Sequence, residues 1–269
     1  MRRCFNRLSL SILGRRFSCL TTNTITTGAS DSQSPLDGML RPPAGWYKRL
    51  TYYSKRYGVA HAVCSYAGRH WFGFWRVIGP VVTRPYLSRW LATAHPKIVN
   101  LGGGSILFDR WLTADVTPRA DVYMDLSKPL PLPDNSIDFV FSEEVIEHLE
   151  RDAGRRMLAE CLRVLRPGGR LRLTTPSLEH FARRAVTTRA GIEEINAIFY
   201  GHGHRFIYGE AALCDALREA GFVDVTRSSY RDPNSELGTF DTHPARVKGA
   251  PAEWSQYWEA TKPANSLKK

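Results

Sequence analysis

From Lys97 onward, short apolar runs alternate with longer amphipathic stretches. IVNL (98–101), LTADV (112–116), VYMDL (122–126) and IDFVF (137–141) are β-rich runs punctuated by Gly, Pro, Asp and Asn. Pro129, Pro131 and Pro133 mark a loop before Ile137. The spacing then predicts a helix over about 144–165. Val145, Leu149, Ala153, Met157, Cys161 and Leu165 recur at every fourth position on one face, and Pro167-Gly168-Gly169 stops the run. RLRLTT (170–175) reads as the next strand. A second amphipathic helix covers about 210–220 and ends at Gly221, and FVDVTRSSY (222–230) follows it as a strand. Strands alternating with helices mean an α/β layered fold with a mainly parallel sheet, which binds ligands at the carboxyl ends of its strands.

The flanking regions differ in character. Residues 1–45 are Ser/Thr-rich, then turn-rich around SPLDG and RPPAG, and read as a leader and linker without regular structure. Residues 46–96 are basic and aromatic and read as helices broken at Gly58, Gly73, Gly79-Pro80 and Pro85. The α/β domain takes residues 97–245, and 246–269 read as a polar C-terminal tail. A hydrophobic fraction of 43% is enough for a sizeable core. Charge is uneven: residues 1–97 carry 15 Lys/Arg against Asp31 and Asp37, whereas the rest of the chain carries 22 against 24. The pI near 9.6 therefore belongs to the N-terminal third.

Cys4, Cys19, Cys64, Cys161 and Cys214 are scattered, odd in number and without a C-x-x-C, which favours thiols in a reducing compartment. No apolar run reaches the ~18 residues of a membrane span, so a soluble, cytoplasmic protein is the expectation. Residues 1–30 hold five arginines and no acid, and RRFS (15–18) looks like a matrix-processing site. The mitochondrial matrix is thus the alternative location. A disordered basic extension, or an upstream start codon, would have the same composition.

The segment KIVNLGGG (97–104) is a strand running into a glycine turn. Only ten residues, 105–114, separate Gly104 from Asp115. An average helix of about 11 residues does not fit there together with a strand. Asp115 follows Gly102 by 13 residues, against the ~20 of a dinucleotide site. A glycine turn lets a ligand approach the backbone, and an acid ending the next strand can accept both ribose hydroxyls. A pyrophosphate also wants a helix N-terminus, which this crossover lacks. A ligand with adenosine but no phosphate has no such need, and S-adenosylmethionine is that ligand.

Residues 97–175 resemble the class I S-adenosylmethionine-dependent methyltransferases, in the type 11-like subgroup with a compressed first crossover. The resemblance rests on IVNLGGG, LTADVTP, DLSKPLPLPDNSIDFVFSEEVIEHL and ECLRVLRPGGRLRLTTP in this order, and HRFIYGEAALCDALREAGFVDV (204–225) extends it. It implies a Rossmann-like three-layer sandwich with a mainly parallel sheet, here with a basic helical N-terminal extension. By position it implies that Gly102, Gly103 and Gly104 lie under the methionine and ribose of the cofactor and that Asp115 binds the ribose. Asp125 and Leu126 would lie by the adenine, Asp125 toward its amine, with Ser142 and Glu143 flanking the reacting methyl. Asn100 stands where most class I enzymes carry an acid for the amino-acid end of the cofactor. The short crossover leaves one side of the cofactor for another segment to cover.

Methyl transfer from a sulfonium is an in-line displacement in which alignment supplies much of the rate. A base is needed only when the nucleophile must lose a proton. Glu147 and His148 are the candidates, and a helix-start acid with a satisfied histidine is the structural alternative. His202-Gly-His204 offers no further ligand spacing, so no metal is expected, and His204 falls to the substrate side or a structural role. The acceptor expected is an O or N nucleophile on a small molecule or a lipid- or saccharide-linked precursor. RNA or protein acceptors, or a catalytically lapsed interaction module, are the alternatives. A nicotinamide-dependent oxidoreductase is disfavoured by the crossover length. Between Trp46 and Trp90, cations alternate with aromatics and no acid occurs. Three readings compete: a helical cap packed on the sheet, a surface for anionic membrane or a lipid-linked substrate, and nucleic-acid binding. RNA ranks below membrane because no RNA-binding motif accompanies the aromatics.

Overall fold

The computed structural model describes residues 39–40, 43–247 and 250–264, so most of the leader and linker expected over 1–45 lies outside them, while a strand at Met39–Leu40 corrects the expectation that this stretch lacks regular structure. A two-residue strand, β1 (Met39–Leu40), precedes four helices: α1 (Trp46–Tyr57), α2 (Val59–His70), α3 (Phe72–Val82) and α4 (Arg84–Thr93). The segment is helical as expected, but three of the four expected breaks lie inside helices. Gly58 separates α1 from α2, whereas Gly73, Gly79 and Pro80 lie inside α3, and Pro85 sits in the first turn of α4 where its missing N–H is harmless. The aromatics divide. Tyr53, Tyr57, Trp75 and Trp90 are buried, while Trp46, Tyr47 and Trp71 are exposed. Tyr57 donates its hydroxyl to the fully buried Asp121 at 2.5 Å, and Arg56 lies 3.4 Å from the same carboxylate. That acid ties α1 to the loop ahead of the sheet's edge strand.

The seven-stranded sheet contains β2 (Ile98–Leu101), β4 (Leu112–Asp115), β5 (Val122–Tyr123), β6 (Ile137–Glu143), β7 (Leu165–Pro176), β8 (Val223–Ser228) and β9 (Ser255–Thr261), in the order β5-β4-β2-β6-β7-β9-β8. The first five pair in parallel, and β9 runs antiparallel to both its neighbours. This placement corrects the expected C-terminal tail, since residues 255–261 are a strand inside the sheet. Their polar residues had suggested a surface. Gln256 is fully buried instead, donating to the carbonyls of Pro176 and Tyr208 and accepting from the Trp258 indole.

Alternation along the strands assigns two faces. Val99, Leu101, Val140, Leu171 and Leu173 join one core with α4, α5 (Arg151–Val164) and α8 (Glu210–Ala220). Ile98, Phe139 and Phe141 face the other way and meet Phe108, Trp111, Leu237 and Phe240. No helix sits in the crossover from β2 to β4, which holds only β3 (Leu107–Phe108), paired with β1. An aromatic cluster, Trp111 with Phe108, Phe141 and Phe240, occupies that face. Arg172 on β7 anchors the covering segment. It is 1% exposed and bonds the Asp241 carboxylate, Glu259 at 2.8 Å and the Ser229 carbonyl at 2.8 Å.

The helix expected over 144–165 is shorter. Glu144 takes a left-handed φ of 56°, Ile146–His148 form a single 3-10 turn, and α5 begins at Arg151. The Glu147 carbonyl accepts from the amides of Arg205 (2.7 Å) and Phe206 (3.1 Å). Those tertiary bonds replace the helical one and lay the 203–206 strand of chain against the turn. Helix α6 (Leu178–Thr187) follows β7, α7 (Arg189–Asn196) follows α6, and α9 (His243–Arg246) lies between β8 and β9. Helix α8 ends on left-handed Gly221, as its sequence foretold. Among the described residues no helix is long and apolar enough to cross a membrane.

Candidate active site

A cavity of about 720 Å³ opens at the carboxyl ends of β2, β4 and β6. Gly102, Asp115, Asp125 and Leu126 are among the residues that line it. Gly102 has φ 73°, and a Cβ there would come within 2.4 Å of the Val145 side chain. Only glycine leaves the backbone open at this point. Gly104, also left-handed, donates its amide to Asp115 Oδ2 at 3.0 Å, while Thr117 N–H reaches Oδ1 at 2.8 Å. Burial raises the Asp115 pKa, and these amides partly offset it. Partial burial also acts on Asp125, but the Ser127 hydroxyl and amide, with Lys128, outweigh it and hold that carboxyl below its usual range.

The side left open by the short crossover is met by α3: Phe72 and Arg76 line the same cavity. Nothing local in the sequence marks these two residues, because they come from an element closed onto the sheet only by the tertiary fold.

Other expected residues sit outside this cavity. Asn100 is 2% exposed and lies beneath Gly103, its amide reaching the Ile106 carbonyl at 3.4 Å. It supports the turn. Ser142 donates to the Leu101 carbonyl at 3.3 Å. Glu143 points to the opposite face and clamps the start of α9. Its Oε1 accepts the amides of Thr242 (2.7 Å) and His243 (2.8 Å), and its Oε2 accepts the Thr242 hydroxyl (2.6 Å) and Arg246 (2.9 Å). The next pair along the chain, Glu144 and Val145, takes the place expected of Ser142 and Glu143 at the cavity wall. The two-residue displacement goes with the left-handed turn at Glu144, which ends the strand's alternation there.

A second cavity, about 390 Å³, adjoins the first. Phe181, Ile198 and Trp254 form its apolar wall. Its polar wall carries Glu144, Glu147, His148, His204 and His243. Glu144 and His148 border both cavities, so the two meet at these side chains. Glu147 is fully buried, its Oε2 accepting from the Thr175 hydroxyl at 2.9 Å and its Oε1 without a hydrogen-bond partner. Burial pushes its pKa up to about 7. Burial, then the neighbouring Glu147, raises Glu144 well above the ordinary range. Burial lowers His148 and His204, which favours neutral rings with a free lone pair.

The Arg205 amide bond to the Glu147 carbonyl brings His204 beside His148, with ring centroids 4.8 Å apart. The spacing of His202 and His204 gave no third ligand. The fold instead leaves His202 out and groups His204 with Glu147 and His148, one ligand-capable atom of each lying within 4.8 Å of the others.

Residues 111–173 match the family model described as the methyltransferase domain. A probable S-adenosylmethionine-dependent methyltransferase of Mycolicibacterium smegmatis is 47% identical over 107 residues, 39% of this chain and 36% of that protein. A Mycobacterium tuberculosis protein of the same description is 37% identical over 110 residues, 40% of this chain and 35% of that one. The biotin biosynthesis bifunctional protein BioHC of Cellvibrio japonicus is 31% identical over 176 residues, 61% of this chain and 33% of that one. The chain spans about a third of the length of these relatives. Over residues 111–173, which run from β4 through most of β7, the chain is thus similar to the methyltransferase domain.

Proposed function

We propose that the protein transfers the methyl group of S-adenosylmethionine to an oxygen or nitrogen nucleophile of a small or lipid- or saccharide-linked acceptor. One observation carries this reading: the cavity at the glycine turn and the cavity walled by Phe181, Ile198 and Trp254 meet at Glu144 and His148. A cofactor with its ribose at Asp115 and its adenine toward Asp125 and Leu126 would direct its methionine end to that junction. An acceptor in the second cavity would then present its nucleophile to the sulfonium in line, which is the alignment the reaction needs.

The chain's residues would divide the work. Gly102 lets the cofactor lie on the backbone, Asp115 orients the ribose, and Phe72 with Arg76 closes the side left open by the missing crossover helix. Phe181, Ile198 and Trp254 offer the acceptor an apolar surface to pack on. Glu147 and His148 stand where a proton leaving the nucleophile could be received. The smaller volume of the second cavity favours a compact acceptor or the reactive end of a larger one.

Calorimetric titration of the full chain with S-adenosylhomocysteine and with NADH tests the reading. Binding of the first and not the second is expected. A hydrogen bond to a charged group contributes about 1.5–3 kcal/mol, so Asp115→Ala should weaken binding roughly 10–100-fold. Folded protein that binds neither, or an Asp115→Ala variant that binds as well as wild type, would sink it.

A further inference from the structure

Three side chains at the cavity junction each have one polar atom fixed by the protein. The Glu147 Oε2 takes the Thr175 hydroxyl at 2.9 Å. His204 Nδ1 is bonded to the Ile198 carbonyl at 2.5 Å, leaving Nε2. The His148 ring is oriented by the Gly203 carbonyl, with its Nε2 3.9 Å from Glu147 Oε1. Backbone carbonyls and hydroxyls that orient the far atoms of imidazole and carboxylate groups are the usual surroundings of metal ligands.

One ligand-capable atom of each side chain lies within 4.8 Å of those of the other two. Glu147 Oε1 is a carboxylate oxygen in a fully buried side chain with no hydrogen-bond donor. Such an atom is costly to leave unmatched, and a cation would match it. Two imidazoles with one carboxylate suit zinc, manganese, iron or cobalt, whereas magnesium and calcium prefer oxygen alone. Three protein ligands leave positions free for another donor, and the cluster faces the cavity assigned above to the acceptor.

We propose that Glu147, His148 and His204 hold a divalent transition-metal ion that coordinates and activates a hydroxyl oxygen of the acceptor. The proposal rests on the methyltransferase reading and narrows it to O-methylation of a metal-coordinating hydroxyl. In the step, the coordinated hydroxyl gives its proton to solvent. The oxygen lone pair forms the O–CH3 bond as the S–CH3 bond breaks, and the methyl ether and S-adenosylhomocysteine leave. Glu147 and His148 then act as ligands, and the general-base role falls away.

The test uses the full chain, stripped with a chelator and titrated with Co2+ alone, with Zn2+ as competitor. One Co2+ per chain, with the visible absorption of a low-coordinate nitrogen–oxygen site, is the expected result. Ligand loss should cost at least the roughly 10–100-fold that losing an outer-shell partner costs, so Glu147→Gln and His204→Gln should each bind correspondingly weaker. His202→Gln should bind as wild type does. S-adenosylhomocysteine titration of the same variants separates the two claims. Cofactor binding without Co2+ binding overturns the metal site alone, and Co2+ binding without cofactor binding overturns the methyltransferase reading alone. Co2+ binding that survives both ligand substitutions also overturns the site.

Discussion

Glu143 provides a sharp test, because position along the motif and position in the fold assign it different work. Its side chain is 4% exposed and accepts four hydrogen bonds, two of them from the amides that open α9. In Glu143→Gln the amide oxygen can keep the Thr242 and His243 bonds, but as neutral ones. Bonds to a charged acceptor contribute about 1.5–3 kcal/mol and neutral ones about 0.5–1.5, so the change removes roughly 2 kcal/mol. Arg246, 31% exposed, can turn toward water. Glu143→Ala instead leaves two amides and the Thr242 hydroxyl unmatched at a buried point, which costs about 3–5 kcal/mol. For a domain of this size each kcal/mol moves Tm by about 2–4 °C, so the expected falls are roughly 4–8 °C and 6–20 °C. Thermal unfolding followed by circular dichroism measures them. Calorimetry well below the transition should find S-adenosylhomocysteine affinity in Glu143→Gln within about threefold of wild type. An unchanged Tm with affinity down by more than about tenfold would refute the reasoning and return Glu143 to the cofactor.

Two further outcomes concern stability. Arg172→Met strands Asp241 in the interior and should destabilise by about 3–5 kcal/mol near pH 7.5 in chemical unfolding. Burial already pushes Asp241 up to about 6, above its unfolded value, and losing the cation raises it further. The folded state then binds the extra proton, so the deficit of the variant should shrink as pH falls toward 5. His61 behaves oppositely. Burial lowers it to about 4, neither ring nitrogen has a hydrogen-bond partner, and it stacks on Tyr57 at 4.5 Å. Its stabilising contribution is present above about pH 6.5 and is lost as pH falls toward 4, on the order of 3 kcal/mol. Comparing wild type with His61→Phe across that window isolates it, and identical pH slopes would count against this assignment.

Local pattern was enough for much of the domain. The apolar runs at 98–101, 112–115 and 137–141 became parallel strands because a strand buried on both faces carries the same signal wherever it pairs. Gly221 ended α8, and the ten residues between Gly104 and Asp115 excluded a crossover helix by length alone. Gly102 and Asp115 could be placed because a left-handed turn and an acid at a strand end are requirements of the local backbone. What local pattern cannot carry is closure. Strand β9 hides its polar side chains in bonds to residues about 50 and 80 positions away, so its sequence reads as surface. Phe72 and Arg76 reach the cavity only when α3 folds onto the sheet, and His204 meets Glu147 and His148 only through amide bonds across more than fifty residues. Hydrophobic periodicity and turn chemistry are short-range, so the sequence alone determined the strands and the glycine turn. The wall of Phe181, Ile198 and Trp254 and the grouping of Glu147, His148 and His204 are long-range juxtapositions, and only the tertiary structure decided them.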